Sequence, residues 1–383
     1  MWTSSSRAPM LHRSSIWRRD SMKQWLETRE VLDFLSAART AGKRVALATV
    51  VRVRGSAYRH EGAKLAVAGD GSSAGNVSGG CLEQDVREVA LQVIRTGEPQ
   101  LRSYCSSADE IAAWDLGVGC EGQVDVYVEP ADARPREREL LDSRRSFAVC
   151  TLLAGKGETG NGKRVVVSVD RVEGDFGSTA LTTGVAAKAR ELLETGESGI
   201  HEIAGRSIFF DVLRPPPQLL VLGAGDDARP LVRLAADVGF RVVVVDRRPG
   251  YLTAERFPGA AALVRSGGDE LAEATALDVE CYAVVMNHNF ADDQAYLRAL
   301  LKTPVSYIGL LGPRQRTDRM LRTVAAEGPV DEGRVYGPVG LDIGTDGAEQ
   351  VALAVIAEVL AVRSGRRARS LRERLAAIHA HTD

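Results

Sequence analysis

Two cysteines stand in settings that could do chemistry. Cys81 ends the run Ser78-Gly79-Gly80-Cys81, and Cys120 lies within Gly117-Val118-Gly119-Cys120-Glu121-Gly122. Flanking glycines let a backbone approach a ligand closely and leave the sulfur reachable. Cys81 also stands at the predicted start of a helix, where unpaired N–H groups favour a thiolate. A thiolate is a soft ligand, suited to a soft metal or to accepting and passing sulfur. The bland alternative for both is a buried thiol that acts as a small hydrophobe. Cys105, Cys150 and Cys281 lack the glycine setting and read as structural.

A second constellation follows an apolar run at Gln218–Leu222. The turn Gly223-Ala224-Gly225-Asp226-Asp227-Ala228 opens a predicted helix that stops at Gly239, and a second strand ends at Asp246. This is the GxGxxA fingerprint in its strand–turn–helix–strand context, with an acid about 20 residues on. Gly223 permits the tight turn, Gly225 lets the backbone approach a phosphate, and the small Ala228 allows close helix–strand packing. Asp226 and Asp227 suit the helix dipole but would repel a pyrophosphate, so capping is their alternative role. Further predicted strands end before Asn287-His288-Asn289 and before Gly312-Pro313-Arg314. Ligands on open α/β sheets bind beyond the carboxyl ends of strands. Asp246, His288, Gly312 and Arg314 are therefore candidates to line one crevice, with Arg314 and Arg316 as phosphate donors. Exposed helix faces for the arginines, and a turn or cap for His288, are the competing roles. Asp246 suits the ribose of NAD, and Arg247-Arg248 suit NADP, so an oxidoreductase with His288 as proton donor is one reading.

The elements that must position these groups form an α/β chain of 383 residues with 44% apolar and 26% charged residues. A net charge of −2 gives no field favouring nucleic acid or an anionic membrane. No apolar run reaches the roughly 18 residues of a membrane helix. Five scattered cysteines without a CxxC pair fit a reducing cytoplasm. Residues 1–21, Ser- and Arg-rich, read as a disordered extension. Residues 22–213 read as a cysteine-bearing α/β domain, with 144–213 resembling a worn copy of 22–130: Thr195-Gly196-Glu197 closes its helix as Thr96-Gly97-Glu98 closes the first. In that copy Thr182-Thr183-Gly184 stand near the place of the cysteine turn. Arg214-Pro215-Pro216-Pro217 is a stiff linker. Residues 218–383 then form a Rossmann-like doubly wound parallel sheet. Its apolar helix near Val351–Leu360, begun by Asp346 and Glu349 in a capping-box pattern, suggests burial or a homodimer interface. Arg363–Arg374 reads as a solvated helix.

At these residues the chain resembles the XdhC/CoxI family of xanthine dehydrogenase accessory proteins. The resemblance rests on Gly62-Ala63-Lys64, Val77 to Glu83, Gly117 to Gly122, Gly223 to Pro230, Val245 to Pro249, His288-Asn289-Phe290, Tyr307 to Gly312, and Gly337 to Gly344. It implies a protein that binds molybdenum cofactor, as molybdopterin or its dinucleotide form, supports its sulfuration and delivers it to a molybdenum hydroxylase apo-enzyme. A cysteine desulfurase and a cofactor-synthesis protein are further implied partners. Cys120 is the residue carried over as contacting the cofactor and its molybdenum, with Cys81 second. The chain departs from the pattern at Asp226, where histidine is expected, and at Asn287, where threonine or aspartate is expected.

Overall fold

The computed structural model describes residues 22–55, 57–80, 82–105, 122–153, 163–328 and 330–373. The expected sites at Cys81, Gly119 and Cys120, and the extension at 1–21, lie outside the described residues. Three sheets organise the rest.

The first module opens with helix α1 (Gln24–Thr40), followed by strands β1 (Val45–Gly55), β2 (Lys64–Ala68) and β3 (Ser73–Gly75). Helix α2 (Glu83–Thr96) precedes β4 (Gln100–Cys105) and β5 (Gly122–Ala131). Helix α3 (Pro135–Asp142) leads into the second module: β6 (Phe147–Leu152), β7 (Arg164–Ser168), β8 (Val172–Glu173), helix α4 (Thr179–Thr195), β9 (Gly199–Ile203) and β10 (Arg206–Leu213). Both sheets are antiparallel, with orders β3-β2-β1-β5-β4 and β8-β7-β6-β10-β9.

The two modules correspond residue by residue. Thr49 pairs with Lys64 across β1 and β2, and Thr151 pairs with Arg164 across β6 and β7. Leu47 faces Glu129 on β5, and Val149 faces Asp211 on β10. Gly75 and Gly174 pass so near the carbonyls of Lys64 and Arg164 that an added Cβ would sit 2.3 and 2.5 Å from those oxygens. Left-handed Gly97 and Gly196 end α2 and α4, each donating its amide to the last turn. The equivalence corrects one expectation. Thr182, Thr183 and Gly184 lie inside α4, and the counterpart of the Ser78 turn is the stretch before its cap, Ser178.

Packing makes four layers. One face of the first sheet buries Ala46, Ala48, Leu65 and Val126 against α2. The matching face of the second buries Ala148, Cys150, Val165 and Phe210 against α4. The opposite faces meet each other: Val51, Tyr127, Leu153 and Phe209 form a quartet of equivalent residues, flanked by α1 and α3. Two ion pairs cross this dry interface. Lys64 meets Asp211 at 2.6 Å, with both side chains about 5% exposed or less. Arg164 approaches Glu129 at 3.7 Å, and Glu129 accepts from the buried Arg134 at 2.8 Å.

The third sheet is parallel, in the order β13 (Ala262–Arg265), β12 (Arg241–Asp246), β11 (Gln218–Leu222), β14 (Cys281–Val285), β15 (Tyr307–Leu310), β16 (Val335–Tyr336). That is the doubly wound order 3-2-1-4-5-6. Helices α5 (Ala228–Val238) and α9 (Ala348–Ser364) cover one face; α7 (Phe290–Leu301) and α8 (Arg314–Ala325) cover the other, with the short α6 (Leu271–Ala274). The apolar α9 packs on α5, as its composition suggests, although Leu353 remains 52% exposed. Two local expectations fail. The cap before α9 is Gly347, and Asp346 donates its amide to Gln350 rather than reciprocating with Glu349. The arginine-rich stretch leaves the helix at Ser364, because Gly365 turns left-handed there.

Asp211→Ala would strand the Lys64 ammonium and remove an acceptor from Gln24. It is expected to cost about 3–5 kcal/mol in urea unfolding, whereas Lys64→Met combined with Asp211→Leu should recover most of that loss. Equal losses in the single and double variants would show that the charges are not coupled.

Candidate functional site

The order of the third sheet reverses between β11 and β14, and the expected crevice residues gather beyond that point. Gly223 ends β11 with φ +127, and an added Cβ would lie 2.7 Å from the carbonyl oxygen of Met286. Only glycine lets the two loops touch this closely. Ala228, fully buried, starts α5 against the sheet, as its small side chain suggests.

The amide of Ala224 does not face the crevice. It donates to Asp246 Oδ2 at 2.8 Å. Arg248 supplies the other donors: its amide and Nε reach Oδ1 at 2.8 and 3.0 Å, and Nη2 reaches Oδ2 at 2.8 Å. Burial works to raise the Asp246 carboxyl, but Arg248 and the two amides together hold it below the ordinary carboxylate range. Asp246 is 0% exposed. It therefore ties the phosphate-type turn to the second strand, and Arg248 occupies the carboxylate edge that a ribose hydroxyl would take. Arg248 in turn lies 4.1 Å over the ring of Tyr251.

The amides of Gly225, Asp226 and Asp227 have no acceptor among the described residues and remain available at the start of α5. Asp227 holds the cap position of this helix, but its side chain accepts no amide there. Asp227 Oδ2 lies 2.7 Å from His288 Nε2, and Asp226 lies 3.0 Å from Arg256. Arg256 also donates to the carbonyl of Ala224 at 3.0 Å. Both carboxylates are thus drawn to cationic or proton-bearing partners beside the free amides. Sequence reasoning misses Arg256, because nothing local marks a side chain arriving from 32 residues downstream.

His288 has φ +61, a left-handed backbone that aims its ring across to α5. The cap of α7 is its neighbour Asn289, which accepts from the amides of Ala291 and Asp292. Beyond β15, Gly312 closes over Arg316, whose guanidinium binds Asp293 at 2.5 Å. Asp293 also accepts the amide of Asn287 at 3.1 Å. Its burial pushes the carboxyl up despite those donors. Arg316 is therefore occupied in holding the His288 loop, whereas Arg314 at the head of α8 is exposed and has no ion pair among the described residues.

The other expected site lies in the first module. Ser78 is the hub of its turn: its hydroxyl accepts the amides of Gly80 and Leu82, each at 3.1 Å, and donates to Glu83. Glu83 also accepts the Ser78 amide at 2.9 Å. Burial opposes its charge, yet these donors lower its carboxyl from the usual value. Gly79 and Gly80 stay exposed, with Tyr58 against Gly79. The turn on which Cys81 stands in sequence is thus pinned on both sides by one serine and one glutamate. Of the remaining cysteines, Cys150 and Cys281 are buried, as expected. Cys105 is exposed, because β4 is an edge strand and its carboxyl end faces solvent; the structural role expected for it does not hold.

Comparison with known proteins places this arrangement. Residues 38–105 match the model described as "XdhC and CoxI family", and residues 219–359 match the "XdhC Rossmann domain". A Bacillus subtilis (strain 168) protein, named as a probable subunit of xanthine dehydrogenase, is 32% identical over 333 residues, 83% of this chain and 92% of that one. The chain belongs to the XdhC and CoxI family. A solved structure from Bacillus halodurans, described as a xanthine dehydrogenase, is 28% identical with a TM-score of 0.72, covering 89% of this chain and 98% of that one. An Escherichia coli (strain K12) protein named "Molybdenum cofactor insertion chaperone PaoD" is 24% identical over 88% of each chain. Within the XdhC and CoxI match, Cys81 lies in the first segment, whereas Cys120 lies outside both.

Asp246→Asn is expected to lower stability at pH 7 by about 1–3 kcal/mol. It should also flatten the acid side of the stability profile. The Asp246 contribution is complete above the ordinary carboxylate pKa of about 3.9. It is lost as pH falls through the lower folded value. Parallel acid limbs for the two proteins, followed by urea midpoints, would contradict the role assigned to this carboxylate.

Proposed function

We propose that this chain binds molybdenum cofactor, protects it and delivers it to a molybdenum hydroxylase of the xanthine dehydrogenase type. The observation that carries the reading is the state of the crevice at the strand reversal. Three amides are offered to an anion there, with Arg256 beside them already paired with Asp226, while the carboxylate that would receive a dinucleotide's ribose is sealed by Arg248. That chemistry suits a ligand ending in phosphate better than a nicotinamide cofactor held through its ribose. It also favours a cargo protein over a hydride-transfer enzyme. The name of the Escherichia coli relative, a molybdenum cofactor insertion chaperone, supports the same reading.

In this reading the described residues fit the phosphate end of the cofactor: the amides of Gly225 to Asp227 bind it, with Arg314 at the margin. Cys120 and Cys81 would hold the molybdenum end, and the Ser78–Glu83 turn would keep the second thiol in place. When bound, the cofactor supplies the redox metal that the recipient enzyme requires. The protein's own residues bind, orient and screen it. The chain would divide at Arg214–Pro217 into a thiol-bearing part, 22–213, and a phosphate-binding part from 218 onward. Three successive prolines make that connection a stiff arm. A cysteine desulfurase as sulfur donor, a cytoplasmic setting and a homodimeric state complete the proposal.

The test is protein purified anaerobically from a host with active molybdenum-cofactor synthesis. Wild type is expected to carry molybdenum and pterin fluorescence, with both reduced about tenfold or more in Cys120→Ser and, to a smaller extent, in Cys81→Ser. Cofactor retention unchanged in both cysteine variants would overturn the assignment.

A further inference from the structure

A cleft of about 560 Å³ opens at the end of the parallel sheet opposite the Gly223 turn. Gln218, Arg241 and Cys281, the first residues of β11, β12 and β14, border it. Its floor is the small, apolar surface of Val243, Ala262 and Val264, continued by Ala274 and Ala276. The other wall comes from the second module and the linker, through Arg144, Ser146 and Pro216. The size lies within the range of about 300–1,000 Å³ usual for small-molecule sites.

Arg144 and Arg241 both border this cleft, which Arg214, Asp278 and Glu280 also line. Arg241 Nη1 donates to the carboxamide oxygen of Gln218 at 2.5 Å, and Arg144 Nη2 reaches only the carbonyl of Pro216, at 3.5 Å. Neither arginine forms an ion pair among the described residues. Partial burial and the facing Arg241 both disfavour the charged form of Arg144, and Asp278 at the rim compensates only in part. Two guanidinium groups bordering one cleft gain from an oxyanion placed between them. Backbone cannot serve in their stead. The amide of Gln218 is taken by the carbonyl of Glu280 at 3.0 Å, and that of Arg241 by Pro217 at 2.9 Å.

We infer that this cleft binds a phosphorylated heterocycle of mononucleotide size, with phosphate on Arg144 and Arg241 and the ring against the Val243, Ala262 and Val264 floor. Asp278, exposed at the mouth, provides an acceptor for an amino group on the ring. The site is separate from the crevice assigned to the cofactor, since it lies at the amino rather than the carboxyl ends of the same strands. A ligand here would touch the second module, the linker and the Rossmann sheet at once.

The experiment is calorimetric titration of the full chain at low ionic strength with AMP, GMP, CMP and inorganic phosphate alone. Arg144 has φ +54, so Arg144→Gly removes the guanidinium without backbone strain. Ala262→Trp fills the floor and leaves the charges in place, and Arg314→Ala reports on the opposite crevice. At least one nucleotide is expected to bind saturably, roughly tenfold or more weaker in Arg144→Gly and in Ala262→Trp. Three results would overturn the inference: no saturable binding of any nucleotide, binding lost in Arg314→Ala but intact in Arg144→Gly, or inorganic phosphate binding as tightly as the nucleotides.

Discussion

Charges taken out of water hold the two antiparallel sheets to one arrangement. An apolar face such as that formed by Val51, Tyr127, Leu153 and Phe209 could pack in several ways, since the hydrophobic effect has no direction. Lys64 and Asp211 remove that freedom. Each comes from a different module, and neither can be left unpaired at about 5% exposure without a cost of several kcal/mol. Arg164 and Glu129 repeat the crossing from the equivalent positions. A one-residue slip of any strand carrying them would turn its charge to the opposite, apolar face and bring hydrophobic groups out of the interface. The pairs therefore select the packing more than they strengthen it. The residue-by-residue correspondence is the pattern that a doubled module meeting its own copy would leave.

In the Rossmann sheet the same principle acts on a smaller scale. Asp246 spends its whole hydrogen-bonding capacity on Arg248 and on the amide of Ala224. That fixes the turn after β11 against the strand beside it, and Gly223 fixes the turn against the loop after β14. The crevice is thus rigid at its base. Its exposed lip carries pairs that a ligand could rearrange, because Asp226 is 80% and His288 64% exposed. A sealed base with an adjustable lip lets a ligand rearrange the exposed pairs without loosening the turn beneath them.

Much of this is legible in the sequence because it is written in local pattern. The GxGxxA turn, the strand–helix alternation and the small Ala228 all follow from spacing alone. Helix ends at Gly97, Gly196 and Gly239 are equally plain, since each needs a left-handed residue. What cannot be read depends on partners brought together by folding. The commitment of Asp246 to Arg248 rests on which way a neighbouring side chain turns. The arrival of Arg256 at Ala224 and the coupling of Asp293 to Arg316 span long stretches of chain. Cys105 is misread for a related reason: β4 has weak apolar alternation, and its place at a sheet edge is a property of strand order. The glycine-flanked cysteine pair is the part on which the described residues bear only through the Ser78 turn.

The distribution of features between the two modules explains why both are kept. The second retains its sheet, its helix, its left-handed cap and both crossing charges. At the stretch before Ser178, however, it offers no thiol. Its inner face still serves the fold, because it buries Lys64 and Glu129 of the first module and supplies each with an ion-pair partner, Asp211 and Arg164. The Ser78–Gly80 turn stands apart from that interface, ahead of α2 in an outer layer, with Gly79 and Gly80 exposed. Exposed Gly79 and Gly80 take no part in the charged interior. A ligand could reach the turn without the two sheets having to part.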